Sequence, residues 1–410
     1  MAARALSLVA PGASSAGHMA DVRRGNLALV LMRISEGLPT VHPSRAQLAA
    51  ITGLTKASVS SLVLDLLQVG LVREVGLNQQ GRGRPSVGLE VNRNKAVLGA
   101  EINVDYVAVG LVDLAGNLVA HQVLDCDNRN ADPARVMATL SEQITSLGEV
   151  AEEMGIDLLG VGLAVPGLVN PSALEVVSAP NLGWKQAKLD LYSVLPEFPA
   201  GVMLCNEANA AALAEMAQDP DIDSDFLLVS GEVGVGGGLI VGRELFTGLG
   251  GHAGEVGHIV VAPEGPECSC GGRGCLETVA GQDAIADAAG LSGHPARGSR
   301  SETMSVLLQA LDDGNEEARS AVARAGFCLG LALASSVRVV PFESVVLGGH
   351  FAVLEPWMRG SLLGSLQRYA PGKLSSEKVL VSVMGQSGAL RGAADLVVRS
   401  IIEAPHVLLT

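Results

Sequence analysis

Aromatic residues are scarce in this sequence, with two Trp, three Tyr and six Phe among 410 residues. Residues 21–94 contain none of them, which argues against binding of single-stranded nucleic acid by stacking of bases on aromatic rings. An uncharged run of about 20 predominantly apolar residues is also missing, and its absence excludes a membrane-spanning helix. The longest candidate, around 327–340, is rich in Gly and Ala and contains Arg338.

Cysteine is scarce too, and its placement excludes the disulfide framework of a secreted protein. Cys126, Cys205 and Cys328 stand alone in apolar contexts, as buried structural thiols do, while the other three lie within eight residues. The first residues contain one early Arg and a short apolar patch, which make a poor signal peptide. We therefore expect a soluble, cytoplasmic protein. Residues 1–18 are assigned to a disordered tail, with a cloning scar as the other explanation.

The apolar fraction is 48%, which excludes a disordered or collagen-like chain, and the length predicts two or three domains. Charge is placed unevenly. Residues 1–95 carry eleven Lys and Arg against five Asp and Glu, whereas the remainder carries 17 against 38. A basic first quarter on an acidic body suggests that only this quarter contacts a polyanion. A solvated basic face without a partner would have the same composition, so charge alone does not decide.

Residues 19–94 have the pattern of a winged helix-turn-helix domain. Apolar residues at helical spacing predict a first helix over 21–36. Ser44 is a typical N-cap for a short second helix that ends at Gly53. Thr55 is the next N-cap, and the apolar residues after it repeat every three or four positions, as in an amphipathic helix.

The rest of this domain predicts the wing and the DNA contacts. Strands at 71–75 and 86–91 are joined by a loop in which Arg82 and Arg84, flanked by glycines, suit a narrow minor groove or the phosphate backbone. On the third helix, small hydroxyls and one lysine suit the major groove. These candidate DNA-binding residues are Lys56, Ser58, Ser60 and Ser61. Asp65 lies further along and would be held clear of phosphate. A protein-interaction module of the same shape is the alternative to binding of double-stranded DNA.

Residues 95–410 alternate between apolar strands and helices, which predicts α/β layers. The expected strands are one alternating segment at 97–112, followed by a turn at 113–116 and a second strand, and others at 158–165, 201–205, 226–229 and 344–347. Six motifs carry a more specific signal. They are Ala164-Val-Pro-Gly-Leu-Val169, Ala179-Pro-Asn-Leu-Gly-Trp184, Asn206-Glu-Ala-Asn-Ala-Ala-Ala212, Gly251-His-Ala-Gly-Glu-Val-Gly-His258, a cysteine cluster at 268–275 and Val346-Leu-Gly-Gly349.

In this order the six motifs resemble those of the ROK family (repressors, open reading frames and kinases). With the winged helix attached, the chain is similar to the family's transcriptional regulators of the xylose and N-acetylglucosamine repressor type. The resemblance implies a two-lobed, actin-like sugar-kinase fold. Lobe one would comprise about 95–205 and the C-terminal helix, and lobe two about 206–388.

The cysteine cluster supplies a metal-ligand set. His258, Cys268, Cys270 and Cys275 offer one imidazole and three thiolates, a donor set suited to four-coordinate structural zinc. The spacing matches the zinc signature of the ROK family without gaps. With no coordination position left for water, one zinc ion per chain is predicted to hold a loop rather than to activate water. A redox pair among these cysteines is the alternative.

The resemblance also implies a sugar site. In ROK sugar kinases, side chains at these motif positions hold the sugar hydroxyls. The corresponding residues here are Asn181, Asn206, Glu207, Glu255, His258 and Glu277. Amides and carboxylates supply paired donors and acceptors for vicinal hydroxyls. A turn at Asn181 and solvated surface glutamates are the structural alternative.

Three departures from the kinases argue against phosphoryl transfer. The first phosphate loop, Asp-x-Gly-Gly-Thr in the kinases, corresponds to 101–105, which contains neither glycine nor threonine. The second, normally Gly-Thr-Gly, begins with Glu232, which would repel a triphosphate. The catalytic aspartate is replaced by Glu207, whose extra methylene moves the carboxylate away from the reacting hydroxyl. We therefore expect no useful kinase activity and no catalytic residue, with Glu207 at the position of the kinase base.

The leading hypothesis is a sugar-responsive transcriptional regulator, and most simply a repressor. A homodimer or homotetramer would bind palindromic, double-stranded operator DNA, and a sugar effector would change its affinity for that DNA. A bifunctional ATP-dependent sugar kinase with a DNA-binding arm is the first alternative. A regulator whose ROK domain docks a partner protein, and that responds to sugar only indirectly, is the second.

Overall fold

The computed structural model describes residues 15–36, 42–78, 86–195, 197–232, 234–293 and 300–409. The chain divides into two compact units, one of residues 1–95 with 399–410 and one of residues 96–398. The last twelve residues were expected in the ROK domain. They group with the first unit because the 3₁₀ turn Pro405–Leu409 lies against the first helix.

The first unit contains three helices and a two-stranded antiparallel sheet. They are α1 (Ser15–Ser35), α2 (Arg45–Thr52), α3 (Lys56–Gln68), β1 (Val72–Asn78) and β2 (Ser86–Val91). Ser44 accepts the N–H of Gln47 and forms a capping box with it, Gly53 ends α2 with φ 72°, and Thr55 caps α3. The chain turns by 117° between α2 and α3, close to the angle found in helix-turn-helix motifs.

Two predictions for this unit are corrected. Helix α1 begins at Ser15 instead of residue 21, so 15–18 are helical and not part of a disordered tail; Ala16, Met19 and Ala20 favour the helix, and no proline interrupts it. Strand β1 runs to Asn78, three residues beyond the expected end. Residues 1–14 and the wing loop 79–85, with Arg82 and Arg84, lie outside the described residues.

The second unit begins with a five-stranded mixed sheet in the order β10-β6-β3-β4-β5. These strands are β3 (Lys95–Ile102), β4 (Tyr106–Asp113), β5 (Leu118–Asp125), β6 (Asp157–Val165) and β10 (Val202–Asn206). Helix α4 (Pro133–Glu153) packs on this sheet, and so does α12 (Gly388–Glu403). A Cβ at Gly99 would lie 1.9 Å from Leu390 O, and one at Gly162 equally close to Ala393 O, so both positions require glycine.

The segment 97–112, expected as one alternating strand, is two antiparallel strands, β3 and β4. The turn between them is closed by Asn103, whose N–H donates to Tyr106 O and whose Oδ1 accepts the N–H of Val104. The apolar pattern hid this turn because Val104 is itself buried, with 2% of its surface exposed. A small antiparallel sheet and a short helix follow, comprising β7 (Leu168–Asn170), β8 (Glu175–Ala179), β9 (Trp184–Lys188) and α5 (Leu191–Val194).

A second five-stranded sheet has the order β13-β12-β11-β14-β15. Its strands are β11 (Phe226–Gly231), β12 (Val235–Val241), β13 (Glu244–Leu245), β14 (Ser344–Gly349) and β15 (Val379–Val381). The helices of this part are α6 (Glu207–Gln218), α7 (Glu277–Ala280), α8 (Gln282–Ala288), α9 (Arg300–Asp312), α10 (Glu316–Val339) and α11 (His350–Tyr369).

Helices α10 and α11 form an antiparallel pair at the centre of the largest apolar core. A Cβ at Gly326 would lie 2.6 Å from Met358 O, and one at Gly330 would lie 2.5 Å from Leu362 O, so these glycines let the two helices approach closely. Contrary to the expectation from sequence, α10 is long and apolar enough to span a membrane by length and composition. However, 61% of its apolar window is buried within this unit, as in the core helix of a globular domain.

Candidate functional site

Four ligand side chains of the second unit form a compact group: His258, Cys268, Cys270 and Cys275. Their ligand atoms all lie within 4.8 Å of one another. His258 Nδ1 is 3.6 Å from Cys268 Sγ, and the sulfurs of Cys270 and Cys275 are 3.8 Å apart. A tetrahedral ion with metal–sulfur distances of about 2.3 Å needs sulfur–sulfur edges of about 3.8 Å. The donor set and its spacing therefore fit one tetrahedral metal ion.

A sharply turned loop brings these ligands together. The N–H groups of Val261 and Ala262 both donate to Gly274 O. Gly274 has φ 71°, and a Cβ there would lie 1.6 Å from Ala262 O, so this position requires glycine. Burial raises the pKa of the Cys275 thiol to about 12. A metal ion bound as thiolate must therefore displace a proton at this residue.

The six residues expected to contact sugar line one cavity of about 680 Å³ that opens to solvent. Asn181 comes from the 3₁₀ turn Pro180–Leu182, Asn206 and Glu207 from the start of α6, and Glu277 from the first residue of α7. Glu255 and His258 flank the 3₁₀ turn that precedes the cysteine loop. Both the volume and the mixture of polar groups are typical of small-molecule sites.

Asn206 has a structural role in addition to its place in the cavity. Its Oδ1 accepts the N–H groups of Ala208 and Asn209, at 2.9 and 3.0 Å, and so caps α6. Its Nδ2 donates to Gly167 O at 2.8 Å. The side-chain amide is therefore fixed in orientation and keeps one N–H for a ligand.

Two further polar residues line the cavity and were not predicted. Asn209 lies three positions after Asn206 on α6, on the same helix face, and this spacing is a signal that identifies it. Ser269 lies between two cysteines and donates to Glu277 Oε1 at 3.4 Å. Only the folding of the cysteine loop brings Ser269 to the cavity, so no sequence pattern points to it.

His258 belongs to both the metal-ligand group and the cavity. Its Nδ1 faces Cys268, while its Nε2 is 3.6 Å from Glu255 Oε2. A ligating imidazole commonly has a carboxylate on its second nitrogen, which fixes its tautomer and ring orientation. An ion at the cysteines would therefore orient a side chain that faces the cavity.

The segment 101–105, which corresponds to the first phosphate loop of the kinases, is filled by its own side chains. Glu101 is buried, and its Oε1 accepts the Tyr106 hydroxyl at 2.7 Å and Asn103 Nδ2 at 3.1 Å. Asp105 pairs with Arg129 at 2.7 Å. Buried Val104 completes the turn. This arrangement presents no glycine backbone to a nucleotide phosphate.

A second cavity, of about 460 Å³, contains four carboxylates and, among its described lining residues, no Lys or Arg. The four are Glu101, Glu207, Glu215 and Glu232. Burial, together with the charges of Glu101 and Glu232, raises the pKa of Tyr106 well above its usual value. Burial also raises the pKa of Glu215. Among the described lining residues, Glu207 alone is common to the two cavities.

The candidate DNA-binding residues of α3 differ in accessibility. Lys56 and Ser58 are exposed, whereas Ser60 and Ser61 are half-buried. Ser58 Oγ lies 2.8 Å from Thr55 Oγ1 at the helix N-cap. Lys56 is therefore the most accessible charged group at the start of this helix.

Arg23 of α1 was not predicted to act at this surface. Its Nη2 lies 2.6 Å from Asp65 Oδ2 and 3.3 Å from Ser61 Oγ. Asp65, expected to be held clear of phosphate, thus has its charge paired by a residue more than 40 positions earlier. Such a pair depends on the packing of two helices, so the pattern of either helix alone does not reveal it.

Comparisons with known proteins follow the same division of the chain. The family model described as the ROK family matches residues 97–400. The xylose repressor of Bacillus subtilis is 29% identical over 93% of this chain and 97% of its own length. The transcriptional dual regulator NagC of Escherichia coli is 26% identical over 83% of this chain and 84% of its own length. A crystal structure of a ROK family transcriptional regulator, a homologue of the E. coli MLC protein, superposes with a TM-score of 0.77 at 25% identity and covers 95% of this chain and 99% of that one. Because the family model matches far more than half of its length, the chain belongs to the ROK family.

Proposed function

We propose that this protein is a sugar-responsive, DNA-binding transcriptional regulator. The observation that carries the proposal is the likeness to a repressor and to a ROK regulator over nearly their whole lengths, the N-terminal unit included. A sugar kinase needs no winged helix, whereas a repressor needs both a DNA-binding domain and an effector site. The xylose and NagC relatives carry names of repressor and regulator, which favours repression relieved by a sugar.

The N-terminal unit is proposed to bind double-stranded operator DNA. Helix α3 would enter the major groove, with Lys56, Ser58, Ser60 and Ser61 toward bases and phosphates. Arg82 and Arg84 of the wing would contact the minor groove or the backbone. A homodimer or homotetramer would present two such units to a palindromic site. Since its target is chromosomal DNA, the protein would act in the cytoplasm.

The sugar effector is proposed to bind in the cavity lined by Asn181, Asn206, Glu207, Glu255, His258 and Glu277. Zinc is the proposed metal, one ion per chain, held by His258 and the three cysteines. Three sulfur ligands and one imidazole favour zinc over the harder cations, and the closed ligand set gives it a structural role. Bound there, zinc would supply no catalysis and would fix the ring of His258 beside the sugar.

We propose that the protein has no useful kinase activity. The cavity next to the sugar site, where ATP would have to place its phosphates to reach Glu207, is lined by four glutamates. The segment 101–105 offers buried side chains in place of a glycine-rich loop. Electrostatic stabilisation of the transferring phosphoryl group requires cations and backbone N–H groups, and this lining has the opposite charge.

The test measures binding of the full-length protein to DNA fragments from upstream of its own gene and neighbouring genes. Fluorescence anisotropy, with and without a panel of hexoses, pentoses and N-acetylated amino sugars, should give tight binding to one fragment and release by one sugar class. DNA binding that no sugar alters would contradict the effector site. Turnover above about 1 s⁻¹ in a coupled assay with ATP and these sugars would support the bifunctional kinase instead.

A further inference from the structure

The effector cavity has an unbalanced charge. Its described lining residues include the carboxylates of Glu207, Glu255 and Glu277 and no Lys or Arg. The remaining polar side chains are the amides of Asn181, Asn206 and Asn209, the Ser269 hydroxyl and the ring of His258. Such a lining pairs well with neutral hydroxyls but offers a phosphate or carboxylate group no fixed cation.

The backbone of the cavity does not supply an alternative anion site at its glycine-rich edge. Glu277 Oε2 accepts the N–H of Val235 at 3.1 Å. A Cβ at the preceding Gly234 would lie 2.1 Å from the same oxygen. The glycine turn that could offer its N–H to a ligand phosphate is therefore covered by a carboxylate of the protein itself.

The space beyond Glu207 repels anions as well. The adjoining cavity contains Glu101 and Glu232 in addition to Glu207. A phosphate ester that projected from the sugar cavity past Glu207 would face these carboxylates in a partly buried setting, where charges are screened weakly. Both directions out of the sugar site therefore disfavour a negatively charged substituent.

On the basis of the proposed function, we infer that the effector is an unphosphorylated, uncharged sugar and that phosphate esters and acid forms of the same sugar are rejected. The regulator would thus respond to a sugar before its phosphorylation. The sugar must then come from uptake or glycoside hydrolysis that leaves it unmodified, because a transport or kinase step that phosphorylates it first would remove the signal.

The experiment compares matched pairs on the full-length protein by isothermal titration calorimetry at low and high salt. The pairs are xylose with xylose 5-phosphate, glucose with glucose 6-phosphate, and N-acetylglucosamine with N-acetylglucosamine 6-phosphate. For the sugar that binds, we expect its ester to bind at least about tenfold more weakly, with the ratio decreasing as salt screens the carboxylates. An ester that binds as tightly as its parent sugar, or more tightly, overturns the inference.

A charge-neutralising variant tests the cause. Glu232→Gln removes a charge from the adjoining cavity without altering the lining of the sugar cavity. Its affinity for the neutral sugar should stay within about twofold, while the ester should gain affinity, so the ratio narrows. An unchanged ratio contradicts the electrostatic cause. If the ester, and not the parent sugar, releases DNA, this inference fails and the proposed function stands; if neither binds, both fail.

Discussion

Glu277 Oε2 accepts a hydrogen bond from the backbone N–H of Val235 at 3.1 Å. Glu277 follows the last cysteine of the metal-ligand group by two residues, and Val235 begins β12. The other carboxylate oxygen, Oε1, accepts the hydroxyl of Ser269. One side chain thus ties the cysteine loop to a strand of the second sheet at the wall of the sugar cavity. A disturbance of the loop should therefore reach the sugar site through this carboxylate.

The substitution Glu277→Gln tests this connection. Gln keeps the shape but replaces a charged acceptor by a neutral one, and a hydrogen bond to a charged group contributes about 1.5–3 kcal/mol. We expect the free energy of unfolding to fall by about 1 kcal/mol and the affinity for the sugar to fall about tenfold or more. Urea denaturation and calorimetry measure the two effects. Glu267→Gln, in an exposed pair with Arg273 on the same loop, is the control and should change neither by a measurable amount.

Loss of one metal ligand should release the metal and destabilise the second unit. For Cys270→Ser we expect metal content, measured by mass spectrometry of the desalted protein, to fall well below one ion per chain. Since metal binding contributes directly to folding free energy, thermal stability and sugar affinity should fall with it. Cys126→Ser, outside the metal-ligand group, is the control and should retain its metal. Full zinc content in the Cys270 variant would contradict the ligand set.

Local signals in the sequence predicted most of the first unit and the residues of both candidate sites. The Ser44 and Thr55 caps and the turn at Gly53 are encoded by neighbouring residues, so they were readable directly. The motif residues around Asn206 and His258 were readable because they resemble a known family. The turn at Asn103 was missed because its residues are as apolar and buried as the strands on either side. Long-range relationships such as Arg23 with Asp65 depend on packing, which no local pattern carries.

The wing arginines are predicted to contact phosphate. Each Lys or Arg that neutralises a phosphate adds about 0.9 to the slope of log K against log salt. The double substitution Arg82→Ala and Arg84→Ala should therefore weaken operator binding and reduce this slope by about 2. Anisotropy titrations from low to moderate salt give both values. Lys185→Ala, an exposed lysine of the ROK domain, serves as the charge-matched control. A slope equal to that of the unmodified protein would rule out phosphate contacts by the wing.

Arg23 is predicted to support DNA binding by neutralising Asp65. Its side chain is 54% exposed, so the pair contributes at most about 1 kcal/mol to stability. In Arg23→Ala, however, the carboxylate on α3 loses its counter-charge beside the helix that would enter the groove, and we expect about a tenfold loss of operator affinity. Adding Asp65→Ala should restore most of that loss, because the repulsive charge is then gone. Anisotropy on the four proteins of this cycle measures the coupling. If the double variant binds DNA no better than Arg23→Ala, Arg23 contacts the DNA itself, and its pairing with Asp65 is incidental to binding.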